Sequence, residues 1–311
     1  MNHLAFFNLS DDPFRITPDQ DFFFPSANHT ALAEVVRYGL NQGEGFIIIT
    51  GEVGTGKTLL LRLLMKEMTS GFETALILSP HLSPKEMLLA ILQDIGIDKT
   101  ADSRASMDHL LRVLNDHIFI LSKNNKRLVI IIDEAQNLPE ESIEQLRLLS
   151  NFESDKMKLL QIVLVGQPEL HEKIHQPRLR QLLQRVTIKE TLPPLSKDET
   201  REYVHFRLAK AGRDDMQLTG RACNLLWRIT KGVPRLINKL MGRALLVAYA
   251  GQKQAFDHRV LKEAASSLDL GPKSNPALRA RIPWLLTAGL TLVVLAWIIA
   301  NRPDLDFIRG L

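Results

Sequence analysis

A three-layer α/β fold with a parallel sheet at its centre is predicted by three features of this 311-residue chain. Four short, mostly aliphatic runs, at residues 46–49, 74–78, 128–132 and 160–165, alternate with helix-like stretches. Runs without an outward polar set suit strands buried on both faces, and strand–helix alternation suits parallel pairing. The first run leads into Gly51-Glu52-Val53-Gly54-Thr55-Gly56-Lys57-Thr58, which satisfies the spacing G-x-x-x-x-G-K-[ST] between a strand and a helix. Beyond Leu192-Pro193-Pro194-Leu195 no strand pattern recurs.

Residues 1–40 begin as an arm rich in aromatics and prolines, among them Phe6, Phe7, Pro13, Phe14, Pro18, Phe22, Phe23, Phe24 and Pro25. Such an arm is too apolar for a free tail and is expected to pack on a domain and cover a nucleotide base. A helix over 29–40 follows, and Gly43 and Gly45 break it before the first strand. The spacing predicts a helix over 59–68 after the loop. Ser83-Pro84-Lys85-Glu86 then supplies an N-cap, a first-turn proline and an acid at the third position, a capping box for a helix toward Ile95. Further helices are expected over 107–122 and 142–152. Residues 41–195 thus form a nucleotide-binding domain. Ser196-Lys197-Asp198-Glu199 is a second capping box, and it opens a separate helical domain over 196–268. Gly271, Pro272, Asn275 and Pro276 mark 269–282 as a linker.

Residues 283–300 carry no charge and are apolar on every face. A helix of that length rises about 27 Å, close to the thickness of a bilayer's hydrocarbon core. Trp284 and Trp297 stand near its two ends, as interfacial anchors do. A transmembrane helix is therefore expected there. Lys273, Arg279 and Arg281 precede it without an acid, whereas Arg302 and Arg309 in the tail, 301–311, are balanced by Asp304 and Asp306. The positive side faces the cytoplasm, which leaves the folded part in the cytosol and the short tail translocated. The first twelve residues show no basic region followed by a long apolar core, so no signal peptide is expected. Hydrophobic content of 45%, charged content of 24% and a net charge of +4 describe a globular chain with a mildly basic, solvated surface. The single cysteine, Cys223, lies in an apolar stretch, excludes an intramolecular disulfide and reads as a core residue.

The loop assigns chemistry to its members. Backbone N–H groups of Gly51, Glu52, Val53, Gly54, Thr55 and Gly56, with the positive end of the next helix, converge on one point and favour phosphate. Lys57 brings a mobile charge for the β- and γ-phosphates and Thr58 a hydroxyl for Mg²⁺. Asp133-Glu134 closes the strand at 128–132: Asp133 is expected to hold Mg²⁺ through water, and Glu134 to polarise the water that attacks the γ-phosphate. Gln167, just past the strand at 160–165, is placed to sit between that pair and the γ-phosphate. Transition-state charge calls for an arginine, and Arg185 and Arg180 are the leading candidates to reach a neighbouring subunit's nucleotide. In Lys231-Gly232-Val233-Pro234-Arg235, Gly232 ends one helix and Pro234 starts the next. Arg235 then stands at a helix start, where the dipole disfavours a cation, so an anionic partner such as the γ-phosphate is expected. The predicted ligands are ATP and Mg²⁺.

These residues together resemble an AAA+ ATPase, with Walker A at 51–58, Walker B at 128–134, a sensor-1 position at Gln167 and a sensor-2 G-x-P-R at 232–235. More narrowly, the chain resembles the ExeA/GspA (general secretion pathway protein A) group, which includes the MSHA pilus biogenesis ATPase MshM. Phe7-x-Leu9, Pro13-Phe14, Pro18-Asp19 and Phe23 in the arm carry that likeness, with Gly43-Glu44-Gly45-Phe46, Asp133-Glu134-Ala135-Gln136-Asn137-Leu138 and Gly166-Gln167-Pro168-Glu169-Leu170. It spans about residues 1–268. The resemblance implies a P-loop NTPase with a three-layer parallel sheet, a helical lid and a C-terminal transmembrane helix. It implies a homo-oligomer, ring or dimer, at the bacterial inner membrane, with membrane lipid and inner-membrane assembly proteins as partners. The implied work is coupling ATP hydrolysis to assembly of a secretion, MSHA-like type IV pilus or exopolysaccharide export machine.

One departure stands out. GspA-type members carry a periplasmic peptidoglycan-binding domain beyond the membrane helix, whereas eleven residues follow Ala300 here, too few to fold. Two other functions are compatible with the same core. A DNA-acting ATPase of the transposition (TniB-like) type is disfavoured by the membrane segment, and no helix concentrates Lys and Arg on one face, so nucleic acid is not an expected partner. A nucleotide-gated scaffold that does not hydrolyse ATP is disfavoured by Glu134.

Overall fold

Ser26 caps the first long helix by accepting a hydrogen bond from the His29 N–H, and Gly43 ends it in the left-handed conformation at φ 84°. This helix, α2 (Ala27–Gln42), follows a short α1 (His3–Phe6) and the aromatic arm. Strand β1 (Phe46–Thr50), helix α3 (Lys57–Glu67) and strand β2 (Phe72–Ile77) come next, then α4 (Pro84–Asp94) and α5 (Met107–Lys123). The α/β part is completed by β3 (Arg127–Ile132), α6 (Glu140–Leu149), β4 (Leu160–Gly166), α7 (Glu169–Ile174), α8 (Arg180–Leu183) and β5 (Val186–Thr191). Helices α9 (Lys197–Lys210), α10 (Gly220–Thr230), α11 (Pro234–Ala250) and α12 (His258–Ser267) follow. The structure is a computed structural model that describes residues 3–68, 71–78, 81–97, 105–152 and 158–270.

The five strands form one sheet in the order β2-β3-β4-β1-β5, parallel throughout. Its centre is buried on both faces, as the uninterrupted aliphatic runs require. Phe46, Ile48, Ile130, Ile132, Ile162 and Leu164 pack with α4, α5 and α6 on one side. Ile47, Ile49, Val129, Ile131, Val163 and Val165 pack with α2 and α3 on the other. Each such buried aliphatic contributes about 1.5–3 kcal/mol. The parallel register aligns the carboxyl ends of β1, β3 and β4, and thereby the loops that follow them.

Both predicted capping boxes form: Ser83 with Glu86 at α4, and Ser196 with Glu199 at α9. The helix expected over 142–152 starts earlier, at Glu140 behind Pro139, and ends at Leu149. Strand β5 is an addition to the four strands expected. Its residues alternate between half-buried and exposed, and only Val186 and Ile188 are apolar, so it lacks the continuous run that marks the interior strands. Thr187, Lys189 and Thr191 point outward, in keeping with an edge strand that charge and polarity protect from further pairing.

Met1–Ala265 is one compact unit. Among the described residues no helix is long and apolar enough to cross a membrane. The apolar run at 283–300, most of the linker (271–282) and the tail (301–311) lie outside the described residues.

Candidate functional site

The turn between β1 and α3 is where sequence and geometry meet most closely. Gly54 and Gly56 hold φ values of 84° and 103°, which strain any residue with a side chain. A Cβ at Gly54 would also lie 2.4 Å from the Cβ of Arg235, so the loop and the start of α11 touch without room for a methyl group. The Arg235 N–H donates to the Gly54 carbonyl at 3.2 Å. The sensor-2 candidate therefore rests on the phosphate loop, with its side chain exposed. Gly51, Glu52, Val53 and Thr55 complete the turn; the Thr55 hydroxyl donates to the Glu52 carbonyl at 2.9 Å.

Lys57 opens α3 and is only 6% exposed. Its ammonium donates to the Gly51 and Glu52 carbonyls at 2.7 and 2.9 Å, which stand where phosphate oxygens would be the stronger acceptors. Burial pushes its pKa down from the ordinary lysine value, against the pull of Glu134, Asp133 and Glu52. The Thr58 hydroxyl donates to the Asp133 carboxylate, so strand β3 and helix α3 bring both candidate Mg²⁺ ligands together. Two hard oxygen donors in contact are a donor set that suits Mg²⁺.

Glu134 takes a left-handed backbone, φ 53°, immediately after β3. Its Oε2 accepts from Gln167 Nε2 at 2.9 Å and from Gln136 Nε2 at 2.7 Å. Burial raises its pKa, but the bonds from Gln167 and Gln136 and the charge of Lys57 outweigh it, and the carboxyl titrates below its ordinary value. Gln167 thus lies beside Glu134, the neighbour expected from the end of its strand. Gln136 carries a weaker sequence signal, its place two residues past Glu134, and the sequence alone assigns it no role.

A cavity of about 300 Å³ opens over this loop. Ile16, Thr17 and Pro18 of the arm wall one side, and Tyr203, Arg207 and Asn238 of the helical part wall another. Arg207 is 6% exposed. It donates to the Pro13 carbonyl and to the Tyr203 hydroxyl, the latter at 2.7 Å, and lies over the Phe22 ring. Tyr203 donates in turn to Asn238 at 2.8 Å. The arm is thereby tied to α9 and α11 where it borders the cavity. The bond from Arg207 to Pro13 joins residues 194 positions apart and has no sequence signature.

His29 is a second contributor without a sequence signal. It is 4% exposed and its Nε2 faces the Thr55 carbonyl at 3.0 Å, which can only accept, so Nε2 carries the proton. Nδ1 then accepts from the Ser26 hydroxyl at 2.7 Å. Burial lowers the His29 pKa below the ordinary 6.5, opposed by the Thr55 bond and the charge of Glu199. Both states are neutral above 6.5, so the contribution is complete there; as pH falls, the unfolded chain binds the proton first and stability drops. The melting temperature is expected to fall as pH drops from about 7.5 toward about 5.5. His29→Gln, which keeps a donor for Thr55, is expected to flatten that slope. Parallel wild-type and variant melting curves across this range would remove His29 as the cause.

The arginine candidates differ in setting. Arg185 donates to the Ser150 hydroxyl at 2.7 Å and to the Arg147 carbonyl at 3.3 Å, closing the C-terminal end of α6. Arg180 begins α8 and is exposed. Neither adjoins the loop of its own chain. A larger cavity, about 700 Å³, lies away from the loop among Lys197, Arg201, Arg221, His258 and Arg259. Its size does not make it the nucleotide site, because it contains none of the phosphate-loop residues.

Residues 40–174 match the AAA domain family. Over 295 residues, 95% of this chain, the sequence is 39% identical to general secretion pathway protein A of Aeromonas hydrophila, 53% of which is covered. The chain thus spans about half the length of that curated relative. The ORC2 protein of Aeropyrum pernix shares the fold at 19% identity and a TM-score of 0.60, over 85% of this chain and 75% of that one. Drosophila ORC does so at 16% identity and a TM-score of 0.62, over 86% and 66%. A Walker-type ATPase of Pyrococcus abyssi matches at 19% and 0.56, over 87% and 80%. The likeness to the Aeromonas protein along nearly all of this chain, the AAA domain and the loop at the edge of a parallel sheet agree: this chain belongs to the AAA+ P-loop proteins of the ExeA/GspA (general secretion pathway protein A) type.

Proposed function

We propose that the chain is a membrane-anchored ATPase that couples ATP binding and hydrolysis to assembly of an envelope secretion or type IV pilus machine. The contact of Thr58 with Asp133, one residue before a carboxylate held by Gln167, carries this reading, because it joins a metal-binding pair to a candidate base. In it residues 41–195 bind nucleotide and 196–268 act as a lid. Backbone N–H groups of 51–56 hold the phosphates, and Lys57 exchanges the Gly51 and Glu52 carbonyls for phosphate oxygens. Thr58 and Asp133 would hold Mg²⁺, which supplies charge neutralisation at the transferred phosphoryl group. Glu134 orients the attacking water and takes its proton, a task suited to a carboxylate that stays ionised. Arg235, on the loop, responds to the γ-phosphate through the start of α11. Mg²⁺-dependent phosphate release from ATP by the intact chain tests the reading, and its absence under oligomer-forming conditions would leave a nucleotide-gated scaffold.

The secretion context rests on the Aeromonas relative, and the anchor rests on the charge-free run at 283–300 with its basic flank. Partners are then further copies of this chain, inner-membrane assembly proteins and lipid. Removing residues 271–311 is expected to release the protein into the soluble fraction with its basal ATPase activity retained, since Met1–Ala265 forms its own compact unit. Carbonate- and salt-resistant sedimentation of the shortened chain with membranes would refute the anchor.

A further inference from the structure

We propose that Gln136 is a positioning residue, whose side-chain amide aims the Glu134 carboxylate and locks it to the strand end that carries Gln167. Three bonds meet on this one side chain and its neighbour. Gln136 Nε2 donates to Glu134 Oε2 at 2.7 Å, and Gln136 Oε1 accepts from the backbone N–H of Gln167 at 3.1 Å. The Gln167 side chain donates to the same Glu134 oxygen at 2.9 Å. Both amides use Oε2, so Glu134 Oε1 is the oxygen left for water. The donor and acceptor of Gln136 are thus both spent between the ends of β3 and β4, the two strands that deliver the site.

The surroundings hold Gln136 in this place. Lys173 of α7 donates to the Gln136 carbonyl at 2.9 Å and also to the Leu138 carbonyl, fixing the turn that follows Glu134. Gly166, the last residue of β4, leaves the gap the amide occupies: a Cβ there would lie 2.6 Å from Gln136 Oε1 and 3.0 Å from Leu170. Glu134 itself is in the left-handed region, a sparsely populated conformation that persists where surrounding contacts hold it. A carboxylate that must be aimed within fractions of an ångström needs such a partner.

The inference rests on the hydrolytic reading, and the test separates the two. Gln136→Met keeps length and shape but removes both bonds. It is expected to lower turnover at saturating ATP about 10- to 100-fold, the usual effect of losing an orienting partner. The dissociation constant of a fluorescent ATP analogue should stay within about twofold, since no phosphate contact is lost. Gly166→Ala, which leaves Gln136 in place but crowds its amide, should lower turnover in the same way, and the double variant should fall no further than the worse single one. Independently of activity, hydrogen exchange of the Gln167 amide should quicken roughly two- to tenfold in Gln136→Met. Wild-type turnover and exchange in Gln136→Met would overturn the role, as would turnover and affinity lost in equal measure. Should the wild-type chain release no phosphate, the hydrolytic reading fails alone, and unchanged Gln167 exchange would be needed to reject the tether.

Discussion

Glu134→Gln is expected to bind ATP like the wild type and release no phosphate, whereas Lys57→Ala loses tight binding altogether. The two residues touch different parts of the reaction. Glutamine preserves the size of Glu134 and leaves an amide oxygen for Gln136 and Gln167 to donate to, so the turn after β3 has no cause to move. What disappears is a group able to take a proton, worth about 10²–10⁴ in rate. Lys57 is different because its ammonium is buried and already directed at the loop, where it donates to the Gly51 and Glu52 carbonyls. Truncating it removes the only cation of the loop and leaves those carbonyls turned toward an anion. Titration with a fluorescent ATP analogue and steady-state phosphate release separate the two effects. Wild-type turnover by Glu134→Gln would place the base elsewhere.

That division of labour is legible in the amino-acid sequence, because it depends on residues held by strand ends. Once β1, β3 and β4 are recognised as parallel neighbours, Lys57, Thr58, Asp133, Glu134 and Gln167 must emerge at one edge. Their local spacing carries the information. Strand β5 is hard to read in the same way, because an edge strand needs no continuous apolar run, and its Thr187, Lys189 and Thr191 hide the period.

Other parts of the site exist only in three dimensions. His29 supports the loop from a helix that begins before β1, through a ring nitrogen on the Thr55 carbonyl. Arg207 joins the arm to α9 across most of the chain, and nothing in its neighbours along the sequence marks it. Outside the site, the cations Lys197, Arg201, Arg221 and Arg259 come from three helices, so a search for a basic face on any single helix misses them. Sequence patterns report what one element does; contacts between elements must be seen.

Specific activity is expected to rise with protein concentration, and Arg185→Ala is expected to lower turnover far more than it weakens ATP binding. Arg180 opens α8 and Arg185 follows it, just before the edge strand, and neither adjoins the phosphate loop of its own chain. An arginine in that position serves a nucleotide only across an interface, where a supplied guanidinium can be worth about 10³–10⁵ in rate. In the isolated chain Arg185 is held by the Ser150 hydroxyl and the Arg147 carbonyl, so serving a neighbour costs those bonds, about 1 kcal/mol each. Arg180 is exposed and has no side-chain bond to give up among the described residues, which makes Arg180→Ala the informative control. If Arg185 only closes the end of α6, its loss lowers the melting temperature and leaves turnover per folded molecule unchanged. If it acts in trans, mixing Arg185→Ala with Lys57→Ala restores part of the activity, since one interface then pairs an intact loop with an intact arginine. Rescue by the Arg180 variant instead would move the role there. Concentration-independent turnover with no rescue from either mixture would rule out a shared site and leave a monomeric nucleotide switch.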